Sequence, residues 1–203
     1  MSRAITVERL APGGRIGDYV IEADELGDAE LREPEAAAYR ATHVVLPRRA
    51  RVRVTHGAVR DASVRVLREA CLLEALAHPG VPRVFECGVL ADRRAWSAIE
   101  DPGGVSLAAR LARGPLAIAD LVVVLRDVAD VLRHAHGHGV VHRRLTPAAI
   151  AWAPPRAVHV VVDWGDARAL DAADGVAVDP RADVLALGRI AYGALTGRVP
   201  EPA

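Results

Sequence analysis

The stretch Val141-His142-Arg143-Arg144-Leu145-Thr146-Pro147, with Val162-Asp163-Trp164-Gly165 shortly after it, decides the fold of this 203-residue chain. The residues before it, from Ala117 to His136, place apolar side chains three and four positions apart and predict one long helix. The residues after it predict a pair of short strands between 149 and 162, and then a final helix over 181–195. This half of the chain is therefore predicted to be mainly α-helical.

The first half of the chain shows the alternation of strands instead. Residues 17–54, 83–89 and 95–99 predict short strands. Between them, residues 62–77 predict a helix whose apolar face consists of Val64, Leu67, Cys71, Leu72 and Ala75. The Pro102-Gly103-Gly104 break is a candidate hinge. The predicted organisation is α+β, with a flexible lead-in over residues 1–15, a β-rich domain over 16–101 and a mainly α-helical domain over 102–203.

Composition narrows the function classes. Hydrophobic residues make up 51% of the chain, which predicts a globular protein, and a net charge of zero argues against nucleic acid or an anionic membrane as partner. No apolar run is long enough to span a bilayer, and the N-terminus lacks the apolar core of a signal peptide. The two cysteines, Cys71 and Cys87, lie in core-like stretches and fit free thiols in a reducing compartment. We therefore expect a cytoplasmic protein.

The order of these elements and motifs resembles the two-lobed fold of the eukaryotic-type serine/threonine protein kinases. Leu67-Arg68-Glu69-Ala70 and the later His78-Pro79-Gly80-Val81 resemble the family's helix C and the turn after it. The stretches 141–147 and 162–165 are similar to its catalytic loop and its metal-binding DFG motif, and residues 181–188 are similar to its helix F. The resemblance covers about residues 16–198. It implies a β-rich N-lobe with helix C and a mainly α-helical C-lobe that is truncated after helix F.

The resemblance assigns a vestigial nucleotide site to the β-rich lobe. The glycine loop would lie near residues 26–33, where only Gly27 remains among acidic residues that repel phosphate. Arg53 replaces the phosphate-binding lysine, and we expect it to pair with Glu69 and so hold helix C. At the hinge, Glu100 keeps a carbonyl group for adenine, but Pro102 lacks the N–H that the family uses there.

The resemblance also implies that the catalytic loop is degenerate. Arg144 stands where the family carries its catalytic aspartate, and a guanidinium group has no acceptor with which to serve as base. Thr146 replaces the loop's lysine, and Ala149 replaces the asparagine that would hold a second metal ion. Asp163 remains as a vestigial metal ligand, but a single carboxylate is a poor Mg²⁺ site. We expect no intact catalytic residue, and weak binding of ATP and Mg²⁺ or none.

The residues that the resemblance assigns to architecture are retained. His142 and Trp164 are expected to pack together, with Gly165 beside them, and Asp183 braces the catalytic loop in the family. Only 17 residues separate Gly165 from Asp183, so the substrate-docking segment is expected to be nearly absent. The chain ends at Ala203, soon after the predicted helix F.

Two other patterns have competing interpretations. His134 and His138 stand at i, i+4, with His136 and His142 close in sequence, and this spacing can bind a metal ion on a helix. Packing is the favoured interpretation, because no acidic or cysteine ligand is near in sequence. The arginine run over residues 48–53 could form a nucleic-acid patch, but a solvated strand edge is favoured.

The sequence thus predicts a pseudokinase, a catalytically inactive kinase-like domain that acts as a binding or regulatory module in kinase signalling. Two alternatives stay open: a divergent or weakly active ATP-binding serine/threonine kinase that uses Arg53 and Asp163, and a decaying gene product with a residual fold. Because the final helix is apolar nearly all round, residues 184–195 are expected to contact a protein partner or a second copy of the chain.

Overall fold

The computed structural model describes five stretches of the chain, residues 10–23, 36–57, 60–154, 156–170 and 178–198. The chain divides into two compact units, one formed by Met1–Glu74 with Arg83–Asp101 and the other by Ala75–Pro82 with Pro102–Ala203. These units differ from the predicted domains at residues 75–82. The first unit is rich in strands and the second mainly helical, which confirms the predicted α+β class.

The first unit is built on an antiparallel sheet. Its strands are Arg15–Ile16 (β1), Tyr19–Ala23 (β2), Ala36–His43 (β3), Arg49–Thr55 (β4), Val84–Val89 (β5) and Ala95–Glu100 (β6). The strand order is β1-β2-β3-β4-β6-β5. Strand β4 is therefore flanked on both sides, and the prediction that the arginine run lies on a solvated strand edge is wrong.

The core of this sheet follows from the alternation within β4. Ala50, Val52 and Val54 are buried against side chains of the neighbouring strands, among them Tyr39 and Trp96. Successive side chains of a strand point to opposite faces, so the arginines between these residues lie on the other face of the sheet. The same register brings Ser97 of β6 opposite Arg53.

The single helix described in the first part of the chain, Arg60–Leu76 (α1), buries a different face from the predicted one. Its buried side chains are Ala62, Val66, Glu69, Ala70, Leu73 and Leu76. Val64 and Cys71, which were expected on the apolar face, are exposed. Both faces have helical spacing, but only the buried one carries Glu69, whose carboxylate pairs with Arg53 of β4.

The predicted lead-in is held to the sheet over its last residues. The backbone N–H of Gly13 donates to the carbonyl of Ile21 at 2.9 Å, and the N–H of Ile21 donates to the carbonyl of Gly14 at 2.9 Å. The N–H of Leu10 donates to the hydroxyl of Tyr39 at 3.2 Å. Residues 10–14 are thus attached to β2 and β3, whereas residues 1–9 lie outside the described part of the chain.

The second unit consists of helices with three small groups of strands and turns. Its helices are Leu107–Leu111 (α2), Ile118–Gly137 (α3) and Arg181–Thr196 (α4). Its strands are Val105–Ser106 (β7), Val140–Val141 (β8), Ile150–Trp152 (β9), Val160–Val161 (β10) and Arg168–Ala169 (β11). Strands β10, β9 and β7 form one small sheet, and β11 pairs with β8.

Helix α3 is the centre of this unit. It buries the stripe of apolar side chains at Leu121, Val124, Val128, Val131, Leu132 and Ala135, which fixes its place against α4, β8 and β10. The helices described here include none that combines the length and the apolar character needed to cross a membrane.

Two glycines set the ends of elements in this unit. Gly197 ends α4 in the left-handed conformation with φ of 67°. Gly104 has φ of 79°, and a Cβ at this position would lie 2.1 Å from the carbonyl oxygen of Trp152. Only a residue without a side chain lets β7 approach β9 so closely.

Both cysteines are free and exposed, so the expectation that they lie in core-like stretches is wrong. Cys71 is on the outer face of α1. Cys87 is on β5, which is the last strand of the sheet formed by the described residues.

Candidate functional site

The predicted pair of Arg53 and Glu69 is present in the first unit. An Arg53 Nη1 group donates to Glu69 Oε2, and the two residues are only 8% and 5% exposed. Strand β4 presents the guanidinium, and the face that α1 buries presents the carboxylate. A buried ion pair of this kind ties a helix to a strand, because breaking it would leave one charge uncompensated.

The other described residues of the predicted nucleotide site do not form a buried ion pair of this kind. Gly27 lies outside the described residues. Glu100, at the end of β6, accepts the backbone N–H of Arg83 at 3.1 Å through Oε2. Pro102 follows β6 and has no N–H to donate.

Asp183 holds the backbone of the 141–147 stretch in the second unit. Its fully buried carboxylate accepts the backbone N–H groups of His142 at 2.9 Å and Arg143 at 2.7 Å. The His136 side chain places Nε2 2.9 Å from the same carboxylate. Arg143 has φ of 69°, a left-handed conformation that costs energy for a residue with a side chain. The carboxylate of Asp183 therefore stabilises a strained turn.

His142 and Trp164 are in contact, with ring centroids 4.7 Å apart in an edge arrangement. The backbone N–H of Arg144 donates to Nδ1 of His142 at 3.3 Å, so Nε2 carries the proton that reaches the carbonyl oxygen of Val162 at 2.9 Å. Trp164 donates its indole N–H to the carbonyl of Val161 at 2.8 Å. These contacts join the 141–147 stretch to the 162–165 stretch, in which Gly165 belongs to a single turn of 3₁₀ helix over Trp164–Asp166.

Arg144 directs its guanidinium toward solvent and toward Asp166. Nη1 of Arg144 lies 3.2 Å from Oδ2 of Asp166, and the two side chains are 57% and 51% exposed. An exposed pair of this kind contributes about 0–1 kcal/mol to stability. No local pattern indicates this contact, because the two residues are 22 positions apart.

The remaining predicted positions offer little to a metal ion. Thr146 caps a 3₁₀ turn over Pro147–Ala149 by accepting the N–H of Ala149 through its hydroxyl at 3.3 Å. Ala149 is buried and has no donor atom to offer. Asp163 has a left-handed backbone, with φ of 64°. Nowhere among the described residues do three or more His, Cys, Asp or Glu side chains gather as a metal site would require.

The histidines of α3 bind the protein itself. The Nε2 of His134 reaches the carbonyl oxygen of Leu76, and Nδ1 of His138 lies 2.8 Å from the carbonyl oxygen of His134. The rings of His78 and His134 have centroids 4.8 Å apart, and those of His134 and His138 are 4.3 Å apart. The contacts agree with the packing interpretation.

Sequence reasoning missed a second polar group, which surrounds a cavity of about 590 Å³ in the second unit. Asp127 of α3 accepts the backbone N–H of His159 at 3.0 Å and lies 2.8 Å from its Nδ1. Asp130, one turn later, lies 3.2 Å from Nε2 of His78. The partners are 32 and 52 residues apart, so no local pattern could have indicated them.

The two carboxyl groups have lowered pKa values. Burial alone would raise the pKa of Asp127, but hydrogen bonds from His159 and Arg126 outweigh it and hold the pKa below its ordinary value. For Asp130, hydrogen bonds from Arg133 and His78 lower the pKa. Both groups are therefore carboxylates at neutral pH, and both anchor α3 to neighbouring segments.

Comparison with known proteins identifies serine/threonine-protein kinases as relatives of this chain. The chain is 31% identical over 169 residues to the serine/threonine-protein kinase PknB of Mycolicibacterium smegmatis, covering 70% of this chain and 27% of that protein. It is 30% identical over 191 residues to the serine/threonine-protein kinase Pkn1 of Myxococcus xanthus, covering 81% of this chain and 27% of that protein. The kinase pkn2 of the same organism is 30% identical over 190 residues, covering 80% of this chain and 23% of its own length. The chain thus spans about a quarter of the length of these relatives. No family model matches it.

Proposed function

This chain belongs to the protein kinase family, and from that premise we propose that it is a pseudokinase-like domain, a binding or regulatory module that does not transfer phosphate. The main support for the proposal is the identity of residue 144, an arginine. It stands where the family carries its catalytic aspartate, and its guanidinium is paired with Asp166. A guanidinium stays protonated and has no acceptor, so it cannot take the proton of a substrate hydroxyl.

The residues present fit ATP and Mg²⁺ poorly. Kinase catalysis depends on metal ions that bridge the phosphates and on a cation that grips them. Here Ala149 offers no metal ligand, and Asp163 alone would have to supply the protein's share of the site. The buried pairing of Arg53 with Glu69 keeps one element of a kinase nucleotide site, while Pro102 removes one hydrogen bond to the adenine ring. We propose that nucleotide binding is weak or absent.

Two assays test this proposal. We expect no incorporation of radiolabelled phosphate from ATP, either into the chain itself or into generic protein substrates. Incorporation that disappears in an Asp163→Ala variant would contradict the proposal, because it would show transfer that depends on this site.

The second assay is thermal unfolding with and without ATP and Mg²⁺. A ligand present at 100 times its dissociation constant stabilises a protein by about 2.7 kcal/mol, which for a chain of this size is roughly 5–11 °C in Tm. We expect a shift within the error of the measurement. A clear increase in Tm at submillimolar ATP would instead favour the second candidate, a divergent ATP-binding kinase. The Arg53–Glu69 pair supports this second candidate.

We further propose that helix α4 contacts another protein chain, either a partner or a second copy. Only Asp183, Ile190 and Ala194 of this helix are buried. Its exposed large apolar side chains are Val184, Leu185, Tyr192 and Leu195. Exposed apolar side chains that cluster on one element mark an interface more often than solvated surface.

Light scattering over a range of concentrations tests self-association through α4. A Tyr192→Glu variant should reduce it, whereas Val64→Glu, at an exposed valine of α1, should not. Hydrogen exchange of the α4 backbone amides tests for contact with a partner protein. If the chain stays monomeric and the α4 amides are already fully protected, the helix is covered within the chain, and no contact through it is needed.

A cytoplasmic location is part of the same proposal. The two free, exposed thiols of Cys71 and Cys87 suit a reducing compartment, where such thiols persist. The net charge of zero supports a protein as partner over nucleic acid or an anionic membrane.

A further inference from the structure

The cavity of about 590 Å³ in the second unit lies along helix α3. Its volume falls in the range of about 300–1,000 Å³ that is usual for small-molecule sites. Gly80, Val131 and Val158 supply part of the lining, and charged side chains of α3 lie beside them. None of the residues assigned above to the nucleotide site or to the catalytic loop lines it. The cavity is thus distinct in its residues from the kinase-like site.

The Asp127 carboxylate fixes an arginine and a histidine at the wall of this cavity. Its Oδ1 accepts Nε–H and Nη2–H of Arg126 at 3.1 and 2.9 Å. Its Oδ2 accepts the backbone N–H of His159 at 3.0 Å and lies 2.8 Å from Nδ1 of the same residue. Trp152 packs against the imidazole, with ring centroids 4.8 Å apart. The His159 ring is therefore held in one orientation, with Nδ1–H donated to Asp127 and with Nε2 unpartnered among the described residues.

Asp130, one turn further along α3, makes an equivalent group. Its Oδ1 accepts Nη2–H of Arg133 at 2.7 Å, and its Oδ2 lies 3.2 Å from Nε2 of His78. Nδ1 of His78 accepts the backbone N–H of Gly80 at 3.1 Å, so Nε2 carries the proton that is donated to Asp130. Each carboxylate of the cavity thus has its charge offset by an arginine of α3, and its oxygens already have donors.

Unused hydrogen-bond donors remain on the two arginines. A guanidinium has five N–H donors, of which Arg126 uses two on Asp127 and Arg133 uses one on Asp130. The two arginine side chains are 68% and 76% exposed, so these donors can be reached from solvent. A metal ion is not the matching occupant, because no three side chains that bind metal gather among the described residues. Free guanidinium donors beside carboxylates that are already paired suit an anion.

The two arginines lie on one face of α3, seven residues apart. Seven residues are close to two turns of a helix and correspond to a rise of about 10 Å. Between the arginines the lining is partly apolar, through Ala129 and Val131. We propose that this cavity binds a small organic dianion, with one carboxylate or phosphate group at each arginine and a short apolar linker between them.

Protonation of His159 should strengthen this binding. Imidazoles change charge between about pH 5 and pH 8, and a protonated ring would offer Nε2–H to the anion while Nδ1–H stays on Asp127. The arginines of the cavity stay charged over this range, and both aspartates remain carboxylates because their pKa values are lowered. His78, on the turn at 78–80, already uses both ring nitrogens within the protein.

Isothermal titration calorimetry of the full chain tests the site. The probes are succinate, adipate and suberate, whose two carboxylates lie progressively farther apart, and octanoate, a monocarboxylate as long as suberate. We expect affinity to increase from succinate to suberate, and octanoate to bind about tenfold more weakly than suberate or worse. Suberate should bind more tightly at about pH 6 than at about pH 8. Fructose bisphosphate distinguishes the two ligand sources: if it binds more tightly than suberate, the ligand is a phosphate ester, and if more weakly, a dicarboxylate.

Substitution of the arginines separates recognition from folding. Arg126→Gln and Arg133→Gln should each raise the Kd of suberate by about tenfold or more and leave that of octanoate nearly unchanged, because each removes one of two contacts. A merely structural role would weaken both ligands alike. Arg133→Lys keeps the charge and should retain the preference for suberate. The matched control is Arg113→Gln, at an exposed arginine outside the cavity, which should change neither Kd.

Two results would overturn the proposal. The first is equal affinity for suberate and octanoate, or no binding of any of these probes to the folded chain at millimolar concentration. The second comes from the NMR signal of the His159 Cε1–H group, a readout that needs no variant. This signal should shift as suberate binds, and an unchanged signal during binding would place the ligand outside the cavity.

Discussion

Replacing Glu69 with glutamine removes the negative charge of the buried pair with Arg53 and keeps the size and shape of the side chain. The two residues are only 5% and 8% exposed, so water cannot replace the missing carboxylate. Removing one partner of a buried ion pair costs about 3–5 kcal/mol, because the remaining charge loses an interaction that offsets its desolvation. In a chain of this length, each kcal/mol lowers Tm by about 2–4 °C. We therefore expect Glu69→Gln to lower Tm by roughly 6–20 °C.

Circular dichroism melting of three variants measures this effect. The matched control is Glu74→Gln, on an exposed position of the same helix, which should change Tm by no more than a degree or two. The double variant Arg53→Met with Glu69→Leu replaces the pair with apolar side chains of similar size. Such replacements are often neutral or stabilising, so the double variant should recover most of the loss.

The three melting temperatures together distinguish the loss of a buried charge pair from altered packing. If Glu69→Gln melts like Glu74→Gln, the pair contributes no more than an exposed contact and does not select the buried face of α1. If the double variant is as unstable as the single one, the loss comes from altered packing around α1 and not from an uncompensated charge.

Three further changes probe the second unit. Asp183→Asn should lower the free energy of unfolding by about 2 kcal/mol or more, because the amide N–H would face a buried backbone N–H. Hydrogen exchange of the His142 and Arg143 amides should then accelerate, and unchanged exchange would contradict this. The hydrogen bonds that lower the pKa of Asp127 stabilise the fold fully above about pH 5, and this contribution is lost as the pH falls through the folded pKa. Asp127→Asn should therefore flatten the fall in the urea midpoint between about pH 5 and pH 2, and parallel curves would refute this. Gly104→Ala should lower Tm far more than Gly103→Ala. A Cβ added at Gly104 would lie 2.1 Å from a carbonyl oxygen of β9, whereas a Cβ added at Gly103 would meet nothing within 4 Å. Equal losses of Tm would contradict this.

The elements of the second unit were the most predictable from sequence. Helix α3 was expected over 117–136 and spans Ile118–Gly137, and the final helix was expected over 181–195 and spans Arg181–Thr196. Long apolar periodicity and terminal glycines are local signals, and they suffice to locate helices of this length.

Contacts between distant residues could not be predicted in the same way. Helix α1 has two faces with helical spacing, and the contact that distinguishes them joins residues 16 positions apart. This pair of Arg53 and Glu69 is predicted by the resemblance to the kinases and not by the spacing. The carboxylates of Asp127 and Asp130 meet histidines from other segments for the same reason. Local spacing gives the period of a helix, but the partner that buries one face depends on the rest of the fold.

The geometry around Arg144 explains how the fold and the chemistry of this site can separate. The contacts that shape the 141–147 stretch are made by the backbone N–H groups of its residues and by the buried carboxylate of Asp183. The Arg144 side chain makes a surface pair with Asp166, and more than half of it faces solvent. A substitution at such a position changes stability by a few tenths of a kcal/mol, on the order of thermal energy. The exposed pair of Arg144 with Asp166 thus contributes little to folding, whereas the buried contacts of Asp183 contribute much more. Under the proposed pseudokinase function, selection would act on the shape of the domain, which the Asp183 contacts maintain, and not on phosphate transfer.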